Sequence, residues 1–270
     1  MILQDYLDRI QYTGELRTDS ATLRRIHHHH LLHIPYENLS IQLGEPVGLA
    51  HQASYEKVVR AHRGGWCYEM NGLLQWALEE IGFNVMRLSG GVMRSTQGDE
   101  VLGNHLVLAV CLEGETWIAD VGFGDGVREA FPLREGRFEQ GGLNYALELL
   151  EDGYWRFHNH QYSVATDFDF CHEVANEALL DAQCQWLQTS KQSPFTMNLI
   201  CQTFQADSIE VLLGRMRRSI TPGGIEKRLL DSADELNEEL HSVYGLTVDV
   251  SALWPSIVAQ HKVLFPDMAS

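Results

Sequence analysis

The sequence predicts an α+β fold, and three observations predict it. Apolar residues recur at helical spacing in the first part of the chain, and short apolar runs between glycine-bearing turns fill the middle. Beyond about residue 172 helix and strand signals mix. Helices, then strands, then a mixed end is the order of an α+β protein rather than an alternating α/β one. The 270 residues are 44% hydrophobic and 21% charged, which excludes disordered, collagen-like and coiled-coil chains.

The elements follow in order. In ATLRRIHHHHLLHIPYENL, Leu23, Ile26, His30 and Leu31 keep helical spacing, so the tract His27 to His30 reads as the histidine-rich flank of a helix that Pro35 ends. Consecutive helical histidines point in different directions, which argues against a metal site built from them. Arg63-Gly64-Gly65 is a loop signal. Over 67–81, Met70, Leu73, Leu74, Ala77, Leu78 and Ile81 form one apolar stripe, closed by Gly82 as a C-terminal cap. Residues 84–93 read as a strand with an irregularity at Gly90-Gly91. Residues 105–112 are continuously apolar, as in a doubly buried strand. After the turn signal Glu113-Gly114-Glu115, a strand is expected over 116–121. Residues 143–150 and 154–163 flank Glu151-Asp152-Gly153, a second hairpin signal. Helix is expected over 174–187, strand over 198–204, and a helix from a Ser232/Glu235 capping box to about Tyr244, with Gly245 after it.

Lys and Arg number 20 against 37 Asp and Glu, a net charge of −17, so the overall field repels nucleic acid and anionic lipid. No stretch reaches the ~20 apolar residues of a membrane span, and MILQDYLDRIQ lacks the features of a signal peptide. The five cysteines are odd in number and hold no C-x-x-C pair. That points to free thiols in a reducing cytoplasm, and against a disulfide framework or a structural zinc site.

The chemistry centres on Cys67. It opens a predicted helix after a Gly-Gly turn, where the helix dipole favours an anion and so a thiolate. The other four cysteines read as buried apolar residues without activating neighbours. A nucleophilic cysteine needs a base, and His105 opens the apolar strand. Asp120 is the carboxylate among apolar neighbours in the next strand and needs a partner if buried. A two-residue turn at Glu113-Gly114 would pair positions whose numbers sum to 227, putting His105 and Asp120 on one face within reach, whereas a three-residue turn would put them on opposite faces unless a bulge restored the parity. The resulting Cys67–His105–Asp120 arrangement fits papain-like hydrolases, transglutaminases and acyltransferases alike.

Arg63-Gly64-Gly65-Trp66-Cys67-Tyr68-Glu69-Met70-Asn71 resembles the R-G-G-x-C-x-E-x-N signature of the arylamine N-acetyltransferases. His33-Ile34-Pro35-Tyr36-Glu37-Asn38-Leu39 is similar to that family's P-[FY]-E-N-L element. Asn104-His105-Leu106-Val107-Leu108 and Asp120-Val121-Gly122-Phe123-Gly124 resemble its histidine and aspartate motifs. The four motifs stand in the family's order and span about 30–125 of the chain; the rest resembles it more weakly.

The resemblance implies a helical bundle over 1–83 carrying the cysteine, an antiparallel β-barrel over 84–190 carrying His105 and Asp120, and an α/β lid over 191–270. It implies a ping-pong acetyl transfer from acetyl-CoA, through an acetyl-cysteine, to arylamines, arylhydrazines or N-hydroxyarylamines. It also implies Tyr36 and Phe123 at the amine, and Gly103, Gly122, Gly124 and Phe195 at CoA. No metal is implied. Glu69 and Asn71 are expected as structural support for Cys67, with Arg63 pairing Glu69. Lys191, Arg215, Arg217, Arg218 and Lys227 are available for CoA phosphates but read more simply as solvated charges. A macrolactam-forming amide synthase on the same scaffold, a cysteine hydrolase and a non-catalytic relative are the alternatives. Oligomeric state is not legible in the sequence.

Overall fold

The helices of the first part are Leu3–Arg9, Ser20–His33, the short Leu39–Gln42 and His51–Tyr55, a π-helical turn Glu56–Arg60, and Cys67–Ile81. The computed structural model describes residues 1–265; the end of the expected third domain, 266–270, lies outside the described residues. The helix over Cys67–Ile81 has its expected span and ends on Gly82 at φ 107°, a left-handed position that suits glycine. The histidine tract lies within Ser20–His33, and Asp19 caps that helix by accepting the Thr22 N–H at 2.8 Å.

Thirteen strands lie among the described residues. They are β1 (Tyr36–Glu37), β2 (Asn84–Val92), β3 (His105–Leu112), β4 (Glu115–Ala119), β5 (Phe131–Pro132), β6 (Gly136–Gln140) and β7 (Leu143–Leu149). Then come β8 (Trp155–His158), β9 (Asp167–Phe170), β10 (Ile200–Phe204), β11 (Ile209–Leu213), β12 (Met216–Thr221) and β13 (Gly224–Leu229). The helix Glu177–Thr189 separates the two groups of strands, and Ala233–Ser242 and Trp254–Leu264 follow β13. Ser232 accepts the Glu235 N–H, as the capping-box pattern predicts, but the Glu235 carboxylate reaches the Asp231 N–H rather than that of Ser232.

The strands form two antiparallel sheets. The larger runs β5-β4-β3-β2-β9-β8-β7-β6 and curls into a half-barrel; the smaller runs β1-β10-β11-β12-β13. At Gly90 the strand β2 leaves β3 and takes β9 as its partner, which explains the glycine pair there. The expected barrel is an open sheet, because the edge strands β5 and β6 are joined by side chains instead of a ladder. Phe131 and Phe138 stack at 5.0 Å between centroids. Gln140 substitutes for the missing strand pairing. Its Oε1 accepts the N–H groups of Arg128 and Glu129, each at 2.9 Å, and its Nε2 donates to the Glu129 carbonyl.

The turn between β3 and β4 is the two-residue Glu113-Gly114, both at positive φ. Leu112 faces Glu115 and Leu108 faces Ala119, the register in which positions sum to 227. Two cysteines depart from expectation: Cys111, near the outer end of β3, is exposed and Cys171, just past the end of β9, is half-buried, whereas Cys184 and Cys201 are buried. β1 lies in the first part of the sequence yet pairs with β10, so the P-Y-E-N-L segment stitches the helices to the smaller sheet.

Replacing Gln140 by Ala removes three hydrogen bonds and frees β6 from residues 128 and 129. We expect a loss of about 1–3 kcal/mol, read as a fall in thermal midpoint of several degrees in a calorimetric scan.

Candidate active site

The loop 63–65 lies directly against 35–37. Gly65 N–H donates to the Pro35 carbonyl and Glu37 N–H to the Gly65 carbonyl, the latter at 2.9 Å. A Cβ on Gly64 would sit 2.1 Å from the Pro35 carbonyl oxygen, so glycine is required for this approach. The two motifs are therefore one structural unit. Their contact also decides the ion pairs. Arg63 pairs with Glu37, its Nε 3.0 Å from Oε1, and not with Glu69 as the sequence suggested. Glu69 pairs instead with Lys57 at 2.8 Å and accepts the Trp66 N–H at 3.3 Å, closing the start of the cysteine's helix.

Cys67 is the first residue of that helix and is buried. Its Sγ lies 3.8 Å from the Asn104 carbonyl. Burial pushes the thiol well above its ordinary range, against the backbone N–H groups of Leu106 and Tyr68 that favour the thiolate. The helix start alone therefore does not deliver the expected thiolate, since desolvation outweighs it. A base must take the proton.

His105 and Asp120 meet as the hairpin parity predicts. His105 Nε2 donates to Asp120 Oδ2 at 2.7 Å, with both side chains buried. The other carboxylate oxygen accepts from Asn71 Nδ2 at 2.8 Å and from Gly122 N–H at 2.9 Å. Burial would raise the Asp120 pKa, but the charge and hydrogen bond of His105, with the Asn71 and Gly122 donors, outweigh it and hold the group below its ordinary value. Asn71 also donates to the Leu106 carbonyl and accepts the Val121 N–H. The imidazole of His105 is wedged by Phe168 and Phe123, at 5.1 and 5.5 Å between ring centroids.

A cavity of about 930 Å³ opens beside these groups. Tyr36, Cys67, His105, Gly122, Phe123 and Phe195 line it, so six of the nine sequence-derived residues share one space. Asp120 stands behind His105. Gly103 and Gly124 are not in the lining, and their glycine requirement comes from the protein itself. Both have positive φ, and a Cβ there would strike Leu179 and Gln202 respectively. Gly122 is fixed by close approach as well: its Cβ would lie 2.7 Å from Cys67 Cα.

Two site residues escaped the sequence reading. His27 was assigned only to a helix flank, yet it is buried and braces the carboxylate's backbone. Its Nε2 accepts the Asp120 N–H at 3.2 Å, and its Nδ1 faces the Arg128 carbonyl at 3.2 Å. Its place beside Ile26 in an apolar stripe was the available signal. The other is Asp125, a buried carboxyl in the cavity lining for which the motif gave no sign. The rest of the histidine tract packs on other segments: His28 Nδ1 faces the Arg128 carbonyl at 3.4 Å, His29 Nδ1 the Ile10 carbonyl at 3.1 Å, and His30 Nδ1 the Tyr6 hydroxyl at 2.9 Å. Among the described residues no three His, Cys, Asp or Glu side chains gather as metal ligands, and no helix is long and apolar enough to cross a membrane.

Comparison with known proteins yields one family. A family model described as N-acetyltransferase matches residues 19–253. The arylamine N-acetyltransferase of Escherichia coli (strain K12) is 33% identical, over 92% of this chain and 90% of its own. The fold is similar to that of the Salmonella typhimurium arylamine N-acetyltransferase, with a TM-score of 0.84 at 27% identity, covering 97% of this chain and 98% of that one. It is equally similar to the Mycobacterium marinum arylamine N-acetyltransferase in complex with CoA, with a TM-score of 0.85 at 29% identity, covering 96% and 98%.

Buried histidines set an acid limit on the structure, and burial pushes His30 well below its ordinary value as it does the two that follow. Burial pushes His27 and His160 down to about 4, from an unfolded value of 6.5. Between those values the unfolded chain binds more protons than the folded one. Stability is therefore full above pH 6.5 and falls as pH drops towards 4, by roughly 2–3 kcal/mol for each histidine. Urea unfolding followed by tryptophan fluorescence at pH 7 and 4.5 should show this loss, and His27→Gln should remove its own share.

Proposed function

The chain belongs to the arylamine N-acetyltransferase family, a family of acyltransferases, and on that premise we propose how its own residues act. The reading is acetyl transfer from acetyl-CoA to the nitrogen of an arylamine, arylhydrazine or N-hydroxyarylamine, in two steps through acetyl-Cys67. The observation that carries it is the buried 2.7 Å contact of His105 with Asp120, beside a cavity that His105 shares with Cys67.

In the first step His105 takes the thiol proton and Cys67 Sγ attacks the thioester carbonyl carbon. Because Nε2 is committed to Asp120, Nδ1 is the atom free to take the proton. Asp120 holds that tautomer and offsets the charge of the imidazolium. The Cys67 N–H heads the helix without an intrahelical partner, and it serves as a donor for the oxyanion. The C–S bond to CoA then breaks, and His105 returns the proton to the departing thiolate. In the second step the neutral aromatic amine attacks acetyl-Cys67 and gives a proton to His105. The C–Sγ bond breaks, the amide leaves, and the proton returns to Sγ.

Tyr36 and Phe123 stand at the cavity wall where a flat aromatic acceptor would pack, and Phe195 and Gly122 are in reach of CoA. Gly103 and Gly124 act on CoA by shaping the neighbouring backbone. The division at 83/84 and 190/191 into bundle, barrel and lid belongs to the same reading. So does a cytoplasmic location, which five free cysteines support.

Intact-protein mass spectrometry after brief exposure to acetyl-CoA tests the two steps together. One acetyl addition should appear, vanish on adding an arylamine, and be absent in Cys67→Ala. Asp120→Asn should slow acetylation by about 10³–10⁴-fold, as expected when the imidazole is held in the wrong tautomer. A wild-type protein that gains no acetyl group would overturn the reading.

A further inference from the structure

Two polar groups in the cavity wall, the Tyr36 hydroxyl and the Gln202 amide, have no part in that mechanism. Tyr36 is 8% exposed and Gln202 9%, and both line the space that holds Cys67 and His105. They are directly opposed across the β1–β10 pair, so their side chains share one face of the smaller sheet, with Cβ atoms about 5 Å apart. The next pair, Glu37 and Cys201, faces the other way. Among the described residues neither the hydroxyl nor the amide makes a hydrogen bond, and neither is sealed in the interior, so both open onto the cavity. Tyr36 bridges Gly65, two residues before Cys67, and Cys67 is the charge that bears most on the phenol. Gln202 lies flat against Gly124, where a Cβ would stand 1.6 Å from Oε1 and 3.2 Å from Nε2. The carbonyl end of the amide is therefore against that loop, and the N–H end is turned from it.

A nine-tenths buried hydroxyl and amide without partners are costly, and most such groups in folded proteins find one. Two donors side by side that do not bond each other are both satisfied by one oxygen set between them. His105 reaches the cavity from the larger sheet and this pair from the smaller, so the base does not compete for that oxygen. We infer that the Tyr36 hydroxyl and Gln202 Nε2 are donors to the acyl oxygen, completing an oxyanion site with the Cys67 N–H. The inference rests on the acetyl-transfer reading and adds two catalytic residues to it. As Sγ bonds to the carbonyl carbon, the π pair moves onto the oxygen, and donors fixed around it hold the anion more tightly than the neutral carbonyl. When the C=O bond re-forms, the C–S bond to CoA breaks and its electron pair leaves on the CoA sulfur, which takes the proton from His105. The same oxygen is charged again when the amine attacks acetyl-Cys67, so one pair of donors serves both steps. Burial, with the charge of Cys67 next, holds the phenol well above its ordinary range, so it keeps the proton it donates.

The test removes each donor and follows the two steps apart. Tyr36→Phe and Gln202→Leu delete groups that hold nothing inside the protein, so both variants should keep the wild-type thermal midpoint. Rapid-quench mass spectrometry reads the rate of Cys67 acetylation by acetyl-CoA with no acceptor present, then the rate at which 4-methylaniline clears the acetyl group. Each variant should slow both rates by about 10²-fold, and by similar factors. Alkylation of Cys67 by iodoacetamide, read by peptide mass, is the control: Sγ displaces iodide at a saturated carbon and no oxyanion forms. Its rate should stay at the wild-type value in both variants. Alkylation that falls in step with acetylation means that the residues act on the thiol, and it overturns the inference. So does slowing confined to the amine step, which marks a contact with the acceptor alone. Variants that acetylate as fast as the wild type overturn the donor pair and leave the acetyl transfer standing. A wild type that gains no acetyl group overturns both. If Gln202→Leu does not fold, Tyr36→Phe alone decides.

Discussion

The carboxylate of Asp120 is the constraint around which the structure is arranged. A buried negative charge is tolerable only when every lone pair has a donor and an opposite or inducible charge is close. Here the donors come from distant places. His105 comes from β3, Asn71 from the cysteine's helix, and Gly122 from the loop after β4; His27, from the second long helix, braces the backbone from behind. Satisfying one carboxylate therefore docks two helices onto the end of one hairpin. It also places Cys67 one helical turn from Asn71, beside His105. The geometry of the candidate site and the packing of helix on sheet are the same set of bonds.

A second junction holds the smaller sheet to this assembly. In the segment Tyr36-Glu37-Asn38 each side chain does a different thing. Tyr36 faces the cavity, Glu37 takes Arg63 and the Leu39 N–H, and Asn38 spans to the carbonyls of Phe195 and Asn198 and the N–H of Ile200. Glu37 is fully buried, with Lys57 also within 3.8 Å, so its neighbours are obligatory rather than decorative. The cavity wall at Phe195 is thereby set by a residue far away in sequence.

What the sequence disclosed was local. The helix over Cys67–Ile81 was legible from an apolar stripe with a glycine stop. The partnership of His105 and Asp120 was permitted by strand parity on condition of a two-residue turn, and that is the turn the structure has. The long-range choices were not legible. Nothing in the pattern says that β9 inserts beside β2, that β1 joins β10, or that Gln140 supplies a ladder bond to residues 128 and 129. Arg63 was paired with the wrong glutamate for the same reason. Charge spacing along the chain suggested Glu69, while the approach of two loops selected Glu37. His27 was hidden by its neighbours: four consecutive histidines look alike in sequence, His30 is as buried as His27, and only the tertiary contact with the Asp120 N–H separates the one that braces the carboxylate.

The thiol shows why these nonlocal bonds matter to chemistry. Read locally, Cys67 sits at a helix start, which favours the anion by a fraction of a kcal/mol to about two. Read in place, the thiol is buried, and its desolvation runs the other way and prevails. A resting neutral thiol is harmless to bulk oxidants and useless as a nucleophile until a base draws off its proton. That base can act only if its own positive charge is stabilised as it forms, and in a buried site the stabilising charge must already be fixed in position. Asp120 meets that need without moving, because three side chains and one backbone N–H hold it there before any substrate arrives. The expense of burying one carboxylate is thus the condition for using a cysteine that its surroundings would otherwise keep inert.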